Sequence, residues 1–188
     1  MVKKTEPCTD LQSNSNEQEI SVIALTSIKE EKTKPTLLLH SCCGPCSSAV
    51  IERLAPDYNI TVFFYNPNVT DKDEYEKRKL NQIKFIDGFN RMNKLCEPVT
   101  LIEGEYQPEE FFKLTSGYSN EPEGGKRCTI CFEMRLRRTA ETAKETGKQL
   151  FGTTLTVSPH KDYILITSIG TKLAEEFGIK NEDYFLTS

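Results

Sequence analysis

The sequence predicts an α/β protein built on a doubly wound, mainly parallel sheet. Short apolar runs bounded by turn residues recur along the chain, and the first is the unbroken run Leu37-Leu38-Leu39. Such a run is typical of a central parallel strand, which is buried on both faces. Segments with helical spacing of apolar residues follow these runs. Strands that alternate with helices favour a parallel sheet with right-handed crossovers.

Four strands are predicted from the apolar runs. The second, residues 60–65, is rich in the β-branched and aromatic residues that favour strands. The strands comprise residues 37–39, 60–65, 99–102 and 150–157, and a further strand begins within residues 181–188. Turn sequences such as Asn66-Pro67-Asn68 stop them.

Five helices are predicted after the strands. Ser47 or Ser48 caps the first, which runs to residue 54, and Gly147 and Gly178 end the last two. The other helices cover about residues 71–93, 108–114, 128–146 and 161–177. Three of them show an apolar face. In the helix at 71–93 it consists of Tyr75, Leu80, Ile83, Ile86 and Phe89, in the helix at 128–146 of Phe132, Leu136, Ala140 and Ala143, and in the helix at 161–177 of Leu165, Ile169, Leu173 and Phe177.

Composition predicts one domain preceded by an extension. The chain has 188 residues, of which 37% are hydrophobic, and this is enough for a single core. Residues 1–35 are rich in Ser, Asn, Gln, Glu and Lys and are predicted to be disordered or loosely docked, so the α/β domain comprises residues 36–188. No secretory signal and no membrane span are visible, so we expect a cytoplasmic protein without a membrane partner.

The net charge of −4 gives no overall attraction to nucleic acid, so any such binding needs a local basic patch. On a regular helix Cys131, Arg135 and Arg138 share one face, which places arginines beside a thiol. Two interpretations of these arginines remain open. They are either solvated surface residues or phosphate contacts, to which the neighbouring Lys126 and Arg127 would add.

Two cysteine elements carry the strongest functional signal. Cys42-Cys43-x-x-Cys46 follows the first strand, and Cys128-x-x-Cys131 begins a helix. Both are expected at the carboxyl edge of the sheet, where open α/β sheets bind their ligands. Disulfides are rare in the cytosol, so these thiols are better explained as metal ligands or catalytic groups. Paired CxxC elements suit tetrahedral zinc or an iron-sulfur cluster held by four thiolates.

Alternatives to a cluster remain open on the residues alone. Cys43-Gly44-Pro45-Cys46 matches the thioredoxin redox motif, although that motif needs neither Cys42 nor a second CxxC. A structural zinc site in a non-catalytic adaptor is a second possibility, and buried inert cysteines are a third. Of the two histidines, His40 closes a buried strand and is interpreted as a core residue. His160 lies in a loop at the functional edge and is a candidate for substrate contact.

With these elements in place, the chain resembles the epoxyqueuosine reductases of the QueH type. The resemblance lies in LLLHSCCGPCSSAVIERL, in FFYNPN followed by EYEKR, in GGKRCTICFEMRLRRTA and in FGTTLTVSPHKD, in family order. It implies a fold akin to the adenine-nucleotide alpha-hydrolase-like (HUP) group, with the cysteine turn where an ATP phosphate loop would lie. Family members usually continue past this point with a tail that carries a close cysteine pair, so we expect this chain to lack that tail.

The resemblance also implies an activity, which is reduction of epoxyqueuosine to queuosine at the wobble position of tRNA, the last step of queuosine biosynthesis. Implied partners are that tRNA and an unidentified electron donor. The implied cofactor is a 4Fe-4S cluster, together with an additional iron ion. The resemblance implies Cys42, Cys43, Cys128 and Cys131 as cluster ligands and Cys46, where members have cysteine or aspartate, at the additional iron. From their positions in the sequence we further expect Cys46, His160 and Asp162 as catalytic residues, and Tyr65, Asn66, Arg135 and Arg138 at the substrate.

Overall fold

A computed structural model describes residues 34–179. The predicted strand within residues 181–188 and all but the last two residues of the predicted extension lie outside this range. The described strands are β1 (Thr36–Ser41), β2 (Asn59–Phe64), β3 (Thr100–Glu103) and β4 (Leu150–Thr153). The described helices are α1 (Gly44–Leu54), α2 (Lys72–Asn93), α3 (Pro108–Leu114), α4 (Lys126–Glu145) and α5 (Tyr163–Phe177).

The strands form one open, all-parallel sheet in the order β3-β2-β1-β4, which confirms the predicted fold class. The chain moves outward from β1 through β2 to β3 and then returns to add β4 on the other side of β1. The strand order therefore reverses between β1 and β4. In open α/β sheets, ligands bind at the carboxyl ends of the strands beside such a reversal.

Each face of the sheet packs against its own pair of helices. Leu38 and Phe63 face α4 and α5, where they meet the buried face of α4 formed by Phe132, Leu136, Ala140 and Ala143. Leu37 and Leu39 point to the other face, toward α1 and α2. Side chains alternate between faces along a strand, so the continuous leucine run supplies both cores. None of the helices within residues 34–179 has the length and apolar character that crossing a membrane requires.

Two predicted boundaries beside the thiols are wrong. Helix α1 begins at Gly44 with Cys43 as its N-cap, rather than at Ser47 or Ser48, because proline is well accommodated in a first helical turn. Cys46 therefore lies inside the helix. Strand β4 ends at Thr153, whose hydroxyl accepts a hydrogen bond from Leu155 N, and a 3₁₀ turn, Thr154–Val157, replaces the rest of the predicted strand.

The buried face of α2 also differs from the predicted one. Leu80 and Ile83 are exposed, whereas Gln82 is completely buried together with Tyr75, Ile86 and Phe89. The prediction followed hydrophobicity and so excluded a buried amide. Gln82 is buried because it has polar partners on β1 and α1, which fixes how α2 lies beside the first strand.

Candidate metal centre

Three thiols lie together where β1 ends. The sulfur atoms of Cys42, Cys43 and Cys46 lie within 4.8 Å of one another, and we refer to these three residues as the thiol group. All three side chains are half-buried. The group occupies the carboxyl edge of β1, next to the point where the strand order reverses. The structure thus places the first cysteine element where the sequence predicts a ligand site.

Neutral hydrogen bonds on the α1 and α2 side hold the turn that carries the thiol group. Gln82 Oε1 accepts hydrogen bonds of 2.8 Å from the hydroxyls of both Ser41 and Ser47. These hydroxyls also approach the Cys43 carbonyl oxygen, at 3.3 Å from Ser41 Oγ and 3.1 Å from Ser47 Oγ. The three polar side chains therefore tie the end of β1, the first turn of α1 and the middle of α2 to the cysteine turn.

The thiols of Cys42 and Cys43 are electrostatically unequal. Their sulfur atoms are 3.8 Å apart. The hydrogen bond between the two thiols, followed by the charges of Arg135 and Lys161, lowers the pKa of Cys42 to about 5. The same hydrogen bond, together with burial, raises the pKa of Cys43. One thiol of the pair therefore forms the thiolate more readily than the other.

The second cysteine element lies at the start of α4. Cys128 Sγ accepts a hydrogen bond of 3.3 Å from Gly124 N, and Cys131 Sγ is 4.0 Å from Arg135 Nη1. Both cysteines line a cavity of about 310 Å³ with Asn68, Phe111, Glu121 and Arg127. Neither belongs to the thiol group, whose members are mutually within 4.8 Å. That all four predicted ligands hold one cluster therefore stays a prediction.

Arg135 connects the two cysteine elements. Its side chain is only 3% exposed, so it is not a solvated surface residue, and the predicted phosphate contact stays a prediction. Arg135 Nη2 donates to Asn66 Oδ1 at 2.7 Å, and Arg135 Nε donates to His40 Nε2 at 3.3 Å. Asn66 in turn donates to the carbonyl oxygen of Ser41 at 2.9 Å. Asn66 is thus committed to protein partners, and its predicted contact with substrate stays a prediction.

His40 is completely buried, as expected of a core residue, but it lies at the candidate site. Its Nδ1 is 2.9 Å from Thr153 Oγ1 on β4, and its Nε2 is 3.1 Å from the Tyr65 carbonyl oxygen. Burial, and then the charge of Arg135, lower the pKa of His40 well below its ordinary value. The neutral ring with its proton on Nδ1 donates to Thr153 Oγ1 and accepts the hydrogen bond from Arg135 at Nε2, so Nε2 does not also donate to the Tyr65 carbonyl oxygen.

Tyr65 and Arg138 line a second cavity, of about 440 Å³, between α3 and α4. Burial, and then the charge of Glu110, raise the pKa of Tyr65 to about 12, so its phenol stays protonated at neutral pH. Arg138 is 38% exposed and pairs with Glu141 at 3.4 Å and Glu145 at 3.5 Å. Their predicted roles in substrate binding remain predictions, with the phenol available as a hydrogen-bond donor.

The two predicted catalytic residues before α5 differ in their surroundings. His160 is exposed in the loop that leads to α5. Asp162 is the N-cap of α5, and its carboxylate accepts a hydrogen bond of 2.9 Å from Leu165 N. This gives Asp162 a structural task that the sequence analysis did not assign. Lys161, between them, was not predicted as a site residue, yet its charge reaches both Cys42 and His40.

The sequence analysis missed the supporting residues Ser41, Ser47 and Gln82. A signal for Gln82 exists, because it lies seven residues after Tyr75 and seven before Phe89, on the buried face of α2. A polar residue at such a position predicts a buried hydrogen-bonding partner. Ser41 and Ser47 carried no comparable signal, since serine is common in any strand-to-helix turn.

The donor set of the thiol group fits a thiophilic metal. Thiolates are the preferred ligands of iron-sulfur centres and of zinc. One of the three thiols already has a lowered pKa, which favours the thiolate form that binds metal. The positive charges of Arg135 and Lys161 match an electron-rich sulfur site. A metal ion bound through these sulfurs is therefore compatible with the residues present.

Comparison with known proteins identifies the family. The family model described as epoxyqueuosine reductase QueH matches residues 37–185. Proteins named epoxyqueuosine reductase QueH are similar over most of the chain, and that of Staphylococcus epidermidis is 43% identical over 78% of this chain and 62% of its own length. The protein of Streptococcus pyogenes is 38% identical over 81% of this chain and 59% of its own length. That of Thermotoga maritima is 34% identical over 77% of this chain and 71% of its own length.

The chain thus spans about three fifths of the length of the first two of these curated relatives. The family match includes both cysteine elements, the FFYNPN segment that contains Asn66 and the helix that carries Arg135. These are the segments on which the structure builds the thiol group and its buried surroundings. The chain therefore belongs to the QueH family of epoxyqueuosine reductases.

Proposed function

We propose that this protein reduces epoxyqueuosine to queuosine in tRNA at an iron-sulfur centre held by its two cysteine elements. The observation that carries the proposal is the thiol group at the carboxyl edge of β1, in a chain that belongs to the QueH family. The relatives' name supplies the reaction, and the soft sulfur donors supply a site for the redox centre that such a reaction needs. We expect the reaction in the cytoplasm, where tRNA is available.

The proposed reaction consumes two electrons and two protons. Both carbon–oxygen bonds of the epoxide break, the oxygen leaves as water, and a carbon–carbon double bond forms in the five-membered ring. When bound, an iron-sulfur centre supplies electrons singly and a Lewis-acidic iron for the epoxide oxygen. The electrons come from a donor protein or small reductant of low potential.

The chain's own residues then have distinct proposed tasks. Cys42, Cys43, Cys128 and Cys131 hold the 4Fe-4S cluster, and Cys46 holds an additional iron ion. Tyr65, whose phenol stays protonated, donates a hydrogen bond to the substrate from the wall of its cavity. His160 and Asp162 deliver protons from the loop before α5, and Arg138 contacts tRNA phosphate. The half-buried state of the thiol group limits the access of water to the centre.

The proposal is tested by purification under anaerobic conditions, followed by iron, sulfide and zinc analysis and incubation with tRNA that carries epoxyqueuosine. With dithionite-reduced viologen as donor, brown iron-loaded protein should convert epoxyqueuosine to queuosine, measured by nucleoside mass spectrometry. Iron-loaded protein that leaves epoxyqueuosine unchanged would contradict the proposed activity. Epoxyqueuosine that persists in cells relying on this chain would contradict it as well.

Two variants show whether the thiol group is the site. Cys42→Ser should lose both iron and activity, because it removes the thiol with the lowered pKa. Ser48→Ala is the matched control from the same turn, since Ser48 only donates to the Pro45 carbonyl oxygen at 3.0 Å. It should keep iron and activity. Cys46→Asp should keep the cluster, because Cys46 is not among its proposed ligands, and should keep the additional iron, because aspartate also coordinates iron.

Zinc-bound adaptor function is the second candidate, because three clustered thiols also suit zinc. In that case the purified protein would be colourless, would contain tightly held zinc, and would not change colour with dithionite. Insulin reduction tests the thioredoxin-like alternative and should fail, since a thioredoxin motif needs neither Cys42 nor a second CxxC.

A further inference from the structure

Arg135 is a buried cation at the centre of the candidate site. Its guanidinium is always protonated in proteins, and the residue is only 3% exposed. Two of its three hydrogen-bonding partners, Asn66 Oδ1 and the neutral ring of His40, carry no charge. Among the residues that the structure describes, no carboxylate lies within 4.0 Å of the guanidinium.

A buried charge without a counter-charge is strongly unfavourable. The Tyr65 phenol interacts with Arg135 but stays protonated, because its pKa is raised to about 12. The other described groups near Arg135 that can carry negative charge are thiols. Cys131 Sγ is 4.0 Å from Arg135 Nη1, and Asn66, which accepts from Arg135, donates to the carbonyl oxygen of Ser41, the residue before Cys42. The natural counter-charge of Arg135 is therefore an anionic sulfur centre that draws on both cysteine elements.

The guanidinium is also held in a fixed position. His40 Nδ1 is anchored to Thr153 on β4, and Asn66 is anchored to the carbonyl oxygen of Ser41 on β1. Arg135 on α4 is thus held against the ends of β1 and β4 and against Asn66, which follows β2. Because these hydrogen bonds fix the guanidinium, little conformational entropy is lost when it interacts with the centre, and its charge acts from one direction.

We propose that Arg135 is the positioning residue that compensates the negative charge of the metal-bound sulfurs and thereby favours the reduced form of the centre, with His40 and Asn66 holding its guanidinium in place. A fixed positive charge stabilises an added electron at short range, and the effect is large where water is excluded. This role needs the metal centre, so the inference rests on the proposed function. It also separates Arg135 from tRNA, since a buried guanidinium does not reach phosphates on the surface.

The test compares reduction potentials of iron-loaded proteins. Wild type, Arg135→Gln and Arg135→Lys are prepared anaerobically, their iron and sulfide are measured, and their midpoint potentials are determined by dye-mediated titration followed by visible absorption. Arg135→Gln should make reduction at least about tenfold less favourable, which is about 59 mV for one electron. Arg135→Lys should show a smaller shift. Arg137→Gln, an equal change of charge on the exposed side of α4, should show none.

Asn66→Asp provides a second test that retains the Arg135 side chain, and it also replaces the amide that donates to the Ser41 carbonyl oxygen. The new carboxylate would face the guanidinium at the present position of Asn66 Oδ1 and neutralise it locally. Its potential should therefore shift in the same direction as that of Arg135→Gln. This variant decides the question if Arg135→Gln fails to fold or to retain iron.

The outcomes separate the two proposals. Active wild-type protein together with unchanged potentials in Arg135→Gln and Asn66→Asp would overturn the role of Arg135 and leave the reductase function standing. Wild-type protein that holds no redox-active iron would overturn both. Arg135→Gln should bind tRNA as wild type does, and a large loss of tRNA affinity at unchanged potential would show that Arg135 acts on the substrate instead.

Discussion

His40 and Ser41 are neighbours at the end of β1, yet they belong to two different parts of the site. Ser41 points toward α2 and joins a neutral set of hydrogen bonds with Gln82 and Ser47 that holds the cysteine turn. His40 points toward α4 and contacts the buried charge of Arg135. One face of the sheet therefore fixes the shape of the thiol group, and the other face fixes its electrostatic environment.

This difference separates the hydrogen bonds that hold the cysteine turn from the buried charge that acts on its thiols. The neutral face is the side of the sheet with Ser41, Ser47 and Gln82. Because these side chains carry no charge, their hydrogen bonds do not change the electrostatic environment that Arg135 creates on the opposite, charged face. The charged face, in turn, is braced against strand ends and does not need to hold the backbone of Cys42 and Cys43. Variants on the two faces should therefore have separable effects on stability and on the metal centre.

Gln82→Leu should give the largest effect, a loss of about 2 kcal/mol in the free energy of unfolding. The change leaves two serine hydroxyls without their shared acceptor in a buried place. Urea unfolding measures the loss. Asn81→Ala, an exposed neighbour on α2, should change stability by less than about 0.5 kcal/mol. If Gln82→Leu also shifts the potential of its retained iron as Arg135→Gln does, the two faces are not separable.

His40 should make stability depend on pH. Burial and Arg135 lower its pKa in the folded protein, so below about pH 6.5 the unfolded chain binds a proton that the folded protein does not. Stability due to the neutral ring is present above that pH and is lost as the pH falls, by up to about 1.4 kcal/mol per pH unit. Urea unfolding at pH 7.5, 6.5 and 5.5 measures this slope.

The control for this slope is a pair of glutamine variants. His40→Gln has no titrating ring on the charged face and should show a shallower pH dependence than wild type. His160→Gln removes an exposed histidine and should keep the slope of wild type. Equal slopes in wild type and His40→Gln would mean that the charged face tolerates a second cation.

Asp162 tests whether the loop before α5 belongs to the structural or the chemical part of the site. Asp162→Ala removes the cap of α5 and should cost about 1 kcal/mol of stability, whereas Asp162→Asn keeps an oxygen for Leu165 N and should cost much less. If Asp162 delivers a proton, both variants lose activity in the tRNA assay. Full activity in Asp162→Asn would leave it with the capping role alone.

Arg138 should give the smallest effect, confined to tRNA binding. Arg138→Gln should weaken binding and lower the slope of log affinity against log salt by about 1, because one phosphate contact is lost. Arg137→Gln is the matched control, since Arg137 is paired with Glu176 across to α5. Equal salt slopes in wild type and Arg138→Gln would show that the ion pairs of Arg138 with Glu141 and Glu145 are its whole role.

The fold and the first cysteine element were predictable from sequence because both depend on local patterns. Leu37-Leu38-Leu39 and residues 60–65 predict buried strands, and the turn at Gly44-Pro45 then places the thiols at a sheet edge. The start of α1 was missed because a cysteine is an unusual N-cap and the serines that follow are common ones.

The surroundings of the thiols were not predictable in the same way. Arg135 looks like a surface residue in a helix with many charges, and only the packing of α4 against β1 shows that it is buried. The burial of Gln82 depends on hydrogen bonds to Ser41 and Ser47, which lie 41 and 35 positions earlier in the chain. Contacts of this kind depend on tertiary structure, which hydrophobic periodicity does not report.

The polar end of β1 also bears on how the chain finds its native strand pairing. After Thr36, strand β1 contains three consecutive leucines, which place the same side chain on both faces of the sheet. Hydrophobic burial alone therefore does not distinguish the correct register from a slip of one residue. Such a slip would turn the imidazole of His40 toward Gln82 and the hydroxyl of Ser41 toward Arg135, and would leave both sets of partners unsatisfied. The residues that surround the thiol group therefore also discriminate against misaligned folding of the central strand.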